Sequence, residues 1–457
     1  MKKVCVIGGG ISGLCVAYRL KKKGFRVLLV ERNTACGGNI QTERRGDFTI
    51  EWGPNSVLRS PHLLELVKEI GLLSEIANAN STSKKRYVVR GGKLCALPLS
   101  VAGLVRTDFF SGATKLKILR EPFVNTKSSE NESVSDFFRR RFGQEIVDYA
   151  LDPFVSGIYA GNPEKLSVKY AFPRLFELES AHDGVLRGFW KTRNENKIAA
   201  EFKDISRTLS FKNGMRTMIE KLVELLPDEI KTGVEASDIV KTKNEKWKIE
   251  TSDEEINAQS FDAVVVAAPA FAAAKLIENV DGALAEKLNE IYHPPLAVVV
   301  SAFRKEDVNF DLDGFGFLVP RVENRRILGS LWSSVIFERR APEDFYLMTT
   351  FIGGARNAEL FDESDETLFQ TAFDELNDLL GLKNKPVFQK IRRWRRAIPQ
   401  YNLGYETTVE AIEKFKRENK GIFFCSNFYR GVSVGDCVKN GLTTSVEVSD
   451  YLEKKIV

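Results

Sequence analysis

KKVCVIGGGISGLCVAYRLKKKGFRVLLVE, from Lys2 to Glu31, decides the fold. KKVCVIG is a short β-branched run, and ISGLCVAYRLKKKG carries apolar residues at helical spacing (Ile11, Leu14, Cys15, Tyr18) before a terminal Gly24. RVLLVE is a second buried strand. Strand, glycine turn, helix and strand make the βαβ unit of a parallel sheet. The turn Gly8-Gly9-Gly10-Ile11-Ser12-Gly13 satisfies GxGxxG. Gly8 permits the tight turn, Gly10 lets the backbone approach a pyrophosphate, and Gly13 lets helix and strand pack closely, with the helix N-terminus facing the phosphates. Glu31 closes the second strand at the distance where a carboxylate accepts from an adenosine ribose and repels a 2′-phosphate. The pattern predicts a dinucleotide site that disfavours NADP.

The acid is followed by ERNTACGGNIQT, with a glycine pair at Gly37 and Gly38. A single βαβ nucleotide unit has no need of that pair, whereas a longer, extended dinucleotide running past the loop does. The stretch resembles the FAD fingerprint of the amine-oxidase-like flavoproteins, and that resemblance implies FAD. Two distant segments are candidates to complete the site. Residues 230–270 read as a strand, a β-meander and a final buried strand ending at Pro269, with Val234 placing its backbone against the adenine. Residues 421–441, GIFFCSNFYRGVSVGDCVKNG, read as strand, glycine loop and helix, so that Ser433, Val434 and Gly435 form a second helix N-terminus facing the flavin.

Composition narrows the remaining classes. The 457 residues carry a net charge of only +5, from 67 basic and 62 acidic side chains, which does not indicate a nucleic-acid partner. Cys5, Cys15, Cys36, Cys95, Cys425 and Cys437 lie far apart with no CxxC pair, and read as reduced thiols of a cytoplasmic protein. His62, His182 and His293 are the only histidines, too few and too scattered for a metal site or a Ser-His-Asp relay. No signal peptide or transmembrane helix is expected.

From Lys84 to Arg120 there are nine basic residues and one acid, Asp108, interleaved with apolar stretches. SVSDFFRRRFGQEIVDYALDPFV then reads as one amphipathic helix leading to a GIYAG turn. Such a segment could lie peripherally on an anionic membrane surface, the alternative being a solvated basic face. TRNENKIAAEFKDISRT, residues 192–208, reads as a polar connector. Past residue 290, IYHPPLAVVVSAF, GFGFLVP and LGSLWSS read as strands of a substrate-side sheet.

Taken together, VIGGGISGL, GGNIQT, EWGPNSVL, KKRYVVRGGKLCALP, DPFVSGIYAGNPEKLSV, FKNGMRTMIEKL, YHPPLAVVV, DGFGFLVP, LGSLWSS, RAIPQYNLGY and SVGDCVKNG resemble the oxygen-dependent protoporphyrinogen oxidase family along nearly the whole chain. The glycine motifs are shared with many flavoproteins, whereas GIYAGNPEKLS, GFGFLVP and IPQYNLG are far more specific. The resemblance implies FAD-dependent removal of six hydrogens from protoporphyrinogen IX in haem biosynthesis, with molecular oxygen as acceptor and peroxide as product. It implies an α/β chain with an FAD-binding Rossmann-like domain, a mixed-sheet substrate domain and an α-helical membrane-associating insertion. The corresponding division is 1–57, 201–290 and 419–457 for FAD, 58–83 and 291–418 for substrate, and 84–200 for the insertion. A homodimer stays open.

The same resemblance supplies site residues. Arg32 and the Gly53-Pro54-Asn55-Ser56 stretch are expected at the cofactor. Arg86 matches an arginine that pairs with a substrate propionate, a role suited to a planar guanidinium, and its alternative is a place in the basic face. Gly157 matches a glycine close to the macrocycle, or is a plain turn glycine. Leu296, Leu312 and Trp332 match apolar positions lining the pocket, and each could equally be core. No side chain is expected to be catalytic, since the flavin carries the hard step. A sister group oxidises coproporphyrinogen III, with four propionates instead of two; GPNS and KKRY favour the protoporphyrinogen group. A carotenoid desaturase or amine oxidase, and a non-catalytic FAD-binding protein, are the readings from other classes.

Overall fold

In the computed structural model, which describes residues 1–98, 100–124, 126–192 and 199–454, strands from three distant parts of the chain meet in one parallel sheet. Its order is Ile230–Thr232, Arg26–Glu31, Lys3–Ile7, Ala263–Val266 and Ile422–Phe424. Val4 pairs with Ala263, and Val264 with Ile422. Val4, Cys5 and Val6 are wholly buried, because parallel strands are covered on both faces and therefore read as continuous apolar runs. Helices Ile11–Lys22 and Val434–Lys454 cover one face. They cross where Gly441 lies against Cys15, so closely that a Cβ on Gly441 would stand 2.6 Å from the Cys15 Cβ. The other face is covered by the hairpin Ala236–Lys241/Trp247–Thr251 and the helix Ala270–Ile277, in keeping with the meander expected for residues 230–270.

The second sheet has seven strands in the order Phe388–Trp394, Leu296–Arg304, Phe345–Gly353, Ile327–Leu331, Gly314–Leu318, Lys85–Arg90 and Lys93–Ala96. Only the pairing of Gly314–Leu318 with Lys85–Arg90 is parallel, so the sheet is mixed. Helix Asp365–Leu380 packs Leu368, Ala372 and Leu376 against one face. The other face looks toward the parallel sheet.

The basic stretch from Lys84 does not open as part of a helical insertion. Residues 85–96 are a hairpin at the edge of the mixed sheet, turned at Gly91 and Gly92 with φ of 59° and 73°. Tyr87 and Val89 face one core and Val88 another, an alternation that requires a strand. Helices begin only at Val101–Arg106 and Gly112–Arg120. The single helix expected after Ser133 is also corrected. Val134–Phe142 ends at Gly143, whose φ of 93° breaks it; a π-turn follows at Val147–Leu151. The GIYAG sequence is not a turn, because Gly157 lies inside helix Asp152–Tyr159, which Ala160 ends at φ 47°. Residues 193–198 of the polar connector lie outside the described residues.

A charged cluster ties this helical segment together. Arg141 meets Glu121 at 2.6 Å and also pairs with Glu179, all three side chains without solvent exposure. Glu121 accepts from the amides of Val185 and Leu186 at 2.8 and 3.1 Å, capping helix Val185–Thr192. Its outward face presents Phe189 and Trp190 beside Phe123, Leu116 and Leu119, all exposed. Among the described residues no helix is long and apolar enough to cross a membrane.

Candidate active site

One cavity of about 1030 Å³ runs between the two sheets. Its nucleotide end is built at the C-terminal edge of the parallel sheet, where ligands collect in open α/β folds. Gly8, at φ 113°, leaves the Lys3–Ile7 strand; a Cβ there would meet the Ala267 carbonyl at 2.8 Å. Gly10, by contrast, faces open space. Gly13 packs so tightly on the Gly8 carbonyl that a Cβ would come within 2.0 Å. Three glycines thus have three separate causes: a turn, an open approach and close packing.

Glu31 is buried and lines the cavity. One carboxylate oxygen accepts from the Gly9 amide at 2.7 Å, the other from the amide and side chain of Asn33 at 2.9 and 2.6 Å. Cys36 lies beside it as a neutral thiol, its pKa pushed up to about 11 by burial and then by the Glu31 charge. All six cysteines are unpaired. The glycine pair sits opposite the first loop. Gly37 has φ 131° and its amide donates to the Gly9 carbonyl at 2.8 Å, while Gly38, at φ 56°, approaches Gly10. Gly53 is equally constrained, since a Cβ would stand 1.8 Å from the Asn39 carbonyl. The cradle is one that side chains would fill, lined by backbone amides and the Glu31 carboxylate with Glu235 nearby, and it fits an extended dinucleotide.

Ile11, Ser12, Arg32, Pro54, Asn55, Ser56, Val234, Ser433 and Val434 all line the same cavity. Gly9 and Gly13 stand behind its wall. Gly435 stands just off it, near Ser433 and Ser60. Helix Val434–Lys454 starts where expected: Ser433 Oγ accepts from the Asp436 amide at 3.1 Å and donates to its carboxylate at 2.6 Å. Sequence reasoning missed Arg216, which lines the cavity next to Gly37. It is the first residue of helix Arg216–Glu224, after the glycine turn of FKNGMR, and that turn was the available signal.

The other end of the cavity is floored by the mixed sheet. Leu318 pairs with Gly329, Gly329 with Phe351, Phe351 with Val298 and Val298 with Arg392, and all five line the cavity. Leu296 and Trp394 lie one step along, the Trp394 indole donating to the Trp52 carbonyl at 2.8 Å. Gly157 comes down on Leu318, where a Cβ would stand 2.7 Å from a methyl carbon. Its helix is clamped by Arg356, whose guanidinium donates to Asp152, Ser156 and the Val319 carbonyl, each at 2.7 Å.

Two expected pocket residues are elsewhere. Leu312 and Trp332, just outside the ends of strands Gly314–Leu318 and Ile327–Leu331, pack with Tyr87 in the core under helix Asp365–Leu380 and do not line the cavity. Arg86 does not line the cavity either. Its guanidinium stacks on Phe315, 4.0 Å from the ring centroid, and donates to the carbonyls of Ser83, Lys84 and Lys85. Phe315 does line it, so Arg86 stands one ring behind the wall. It has no carboxylate partner among the described residues, and burial followed by Arg207 lowers its pKa. Among the described residues no cluster of three or more His, Cys, Asp or Glu could hold a metal.

A glycine-lined dinucleotide groove opening onto an apolar chamber is the arrangement of a flavin oxidoreductase. Residues 11–449 match the model for flavin-containing amine oxidoreductases, and the chain belongs to that family, whose cofactor is FAD. The chain is 35% identical to protoporphyrinogen oxidase 2, chloroplastic/mitochondrial, of Arabidopsis thaliana, over 99% of this chain and 94% of that one. It is 27% identical to coproporphyrinogen III oxidase of Bacillus subtilis strain 168, over 99% and 98%. Among solved structures, cyclohexylamine oxidase from Brevibacterium oxydans IH-35A shares the fold at a TM-score of 0.72 and 14% identity, over 99% of both chains.

Proposed function

We propose that this flavoprotein oxidises protoporphyrinogen IX to protoporphyrin IX in haem biosynthesis, three molecules of oxygen taking six hydrogens and leaving as three of hydrogen peroxide. The observation that carries the reading is the junction itself, a glycine-lined dinucleotide groove continuous with a chamber floored by Leu318, Gly329, Phe351 and Val298. The full-length relatedness to porphyrinogen oxidases supports it. Bound FAD supplies the two-electron oxidising chemistry and returns electrons to oxygen.

The protein's own part is positioning. The amides around Gly10 and the start of helix Ile11–Lys22 take the diphosphate, Glu31 takes a ribose hydroxyl, and Asn55, Ser56 and Ser433 stand at the junction with the chamber. Gly157 lets its helix close down on Leu318 at the edge of the floor, where a side chain would collide. The apolar walls exclude water from the carbon being oxidised. Arg86, through Phe315, gives one end of the slot a cation without an acid partner among the described residues. The exposed Phe123, Phe189 and Trp190, with Arg187 over the Phe123 ring at 5.9 Å, support a peripheral seat on an anionic membrane from which an apolar substrate is drawn.

Coproporphyrinogen III is the second reading, favoured by the Bacillus relative. Supplying purified protein with each porphyrinogen, in air and anaerobically, and following porphyrin fluorescence tests both. Oxygen-dependent fluorescence from protoporphyrinogen is expected, and fluorescence from coproporphyrinogen alone would transfer the assignment.

A further inference from the structure

We propose that Arg392 is a second counter-ion for a substrate carboxylate, at the end of the chamber remote from Arg86; the inference rests on the porphyrinogen reading above. Arg392 closes the cross-sheet row that forms the floor. Leu318, at the opposite end of that row, pairs with Val88, two residues along the same strand from Arg86. Four interstrand steps separate Leu318 from Arg392, about 19 Å at the usual spacing. The two arginines therefore bracket the slot.

The residues beside Arg392 make its freedom distinctive. Phe388, Lys390, Arg392 and Trp394 share one face of their strand, since side chains alternate. Phe388 is occupied by Phe48 and Arg45. Lys390 is paired with Glu43, and Trp394 donates to Trp52. Arg392 lines the cavity without a hydrogen bond or ion pair among the described residues, its guanidinium 4.8 Å from the Trp394 ring centroid. Among the described residues the chamber offers it no acid: the carboxylates that line the cavity, Glu31 and Glu235, belong to the nucleotide end. Arg216, another cavity-lining cation, is paired with Glu220.

A half-buried guanidinium with open donors and an aromatic platform suits a carboxylate, which it can grip with two parallel bonds. Porphyrinogens carry carboxylates on flexible propionate arms at the rim of an apolar ring. The four arms of coproporphyrinogen III, one on each pyrrole, can reach both arginines at once, whereas the two of protoporphyrinogen IX sit on neighbouring pyrroles and reach one end of the slot at a time.

The test compares each porphyrinogen as the free acid and as its propionate methyl ester, in detergent, with the full-length FAD-loaded protein and its Arg392→Gln and Arg392→Met variants. Methionine keeps an apolar stem against Trp394, so at least one variant retains the packing. The proposal expects KM for free coproporphyrinogen III to rise about ten- to hundredfold in both variants and KM for free protoporphyrinogen IX to rise less, with KM for the esters unchanged and the flavin spectrum unaltered. An Arg392→Lys variant, which keeps the charge but loses the fork, falls between. Equal losses on acid and ester, or a shifted flavin spectrum or reduction potential, would assign Arg392 to the flavin or to packing and overturn the proposal. A wild-type protein that oxidises neither porphyrinogen removes the functional reading first, and the inference with it.

Discussion

The Glu31 carboxylate accepts a hydrogen bond from the Gly9 amide at 2.7 Å, so the acid proposed to bind ribose also fastens the phosphate loop. One residue sets the shape of two parts of the nucleotide groove.

Glu31→Ala should therefore weaken FAD in two ways, through the lost ribose partner and through a loosened loop. Loss of one charge-assisted bond costs about 1.5–3 kcal/mol, tenfold or more in affinity. Glu31→Gln, which can still accept, should lose less. Flavin retained after dilution and desalting checks this, and wild-type retention in the alanine variant would refute the ribose role.

Arg86→Ala should leave flavin content and spectrum as they are, since Arg86 touches Phe315 and backbone carbonyls and not the nucleotide loops. It should raise KM for porphyrinogen acids, by about 1–3 kcal/mol of binding if a propionate reaches past Phe315 to the guanidinium. Steady-state kinetics decide the matter; an unchanged KM would leave Arg86 as a support for Phe315 alone.

Much of this was legible in the sequence, and what was not has a physical cause. The parallel sheet announces itself because strands buried on both faces are unbroken apolar runs, and the loop is announced by Gly8 and Gly13, each held to glycine by a close contact, and by Gly10, which leaves an open approach. Three strands of the mixed sheet were legible, though not their faces, while Lys85–Arg90 and Lys93–Ala96 read as part of a helical insertion. Leu312 and Trp332 look like pocket residues from their motifs, and only the packing shows that they belong to the core shared with helix Asp365–Leu380. Arg392 was hidden in RRWRR, where a charge run reads as a solvated face. The break at Gly143 carried a local signal, a glycine at positive φ, whereas the π-turn after it did not.

Binding to vesicles should depend on both charge and the exposed ring cluster. Flotation with anionic vesicles should recover the protein and neutral vesicles should not, with release as salt shortens the Debye length below about 8 Å. A Phe123→Ser/Trp190→Ser variant should bind more weakly at every salt concentration while keeping its flavin. Absence from anionic vesicles would leave the segment a solvated face.

Acid should loosen the helical segment around Glu145. Burial pushes the Glu145 carboxyl up, but hydrogen bonds from Thr114, Ser111 and Arg90 outweigh it and hold its pKa down at about 2. Because the folded value is depressed, its stabilisation is complete above the ordinary carboxylate range and is lost as pH falls toward about 2. Glu145→Gln should lower the thermal midpoint at pH 7 and flatten its dependence on pH between about 4.5 and 2. Calorimetry across that window reads it, and parallel pH profiles for wild type and variant would contradict it.

Oxygen uptake by the purified flavoprotein with protoporphyrinogen IX, measured alongside porphyrin fluorescence and peroxide, decides whether the protein oxidises this substrate. Three oxygens consumed and three peroxides formed for each protoporphyrin are expected, with no sustained turnover without oxygen and loss of the activity when FAD is removed. Flavin-loaded protein that leaves protoporphyrinogen unoxidised in air, above the spontaneous rate, would contradict the proposed function.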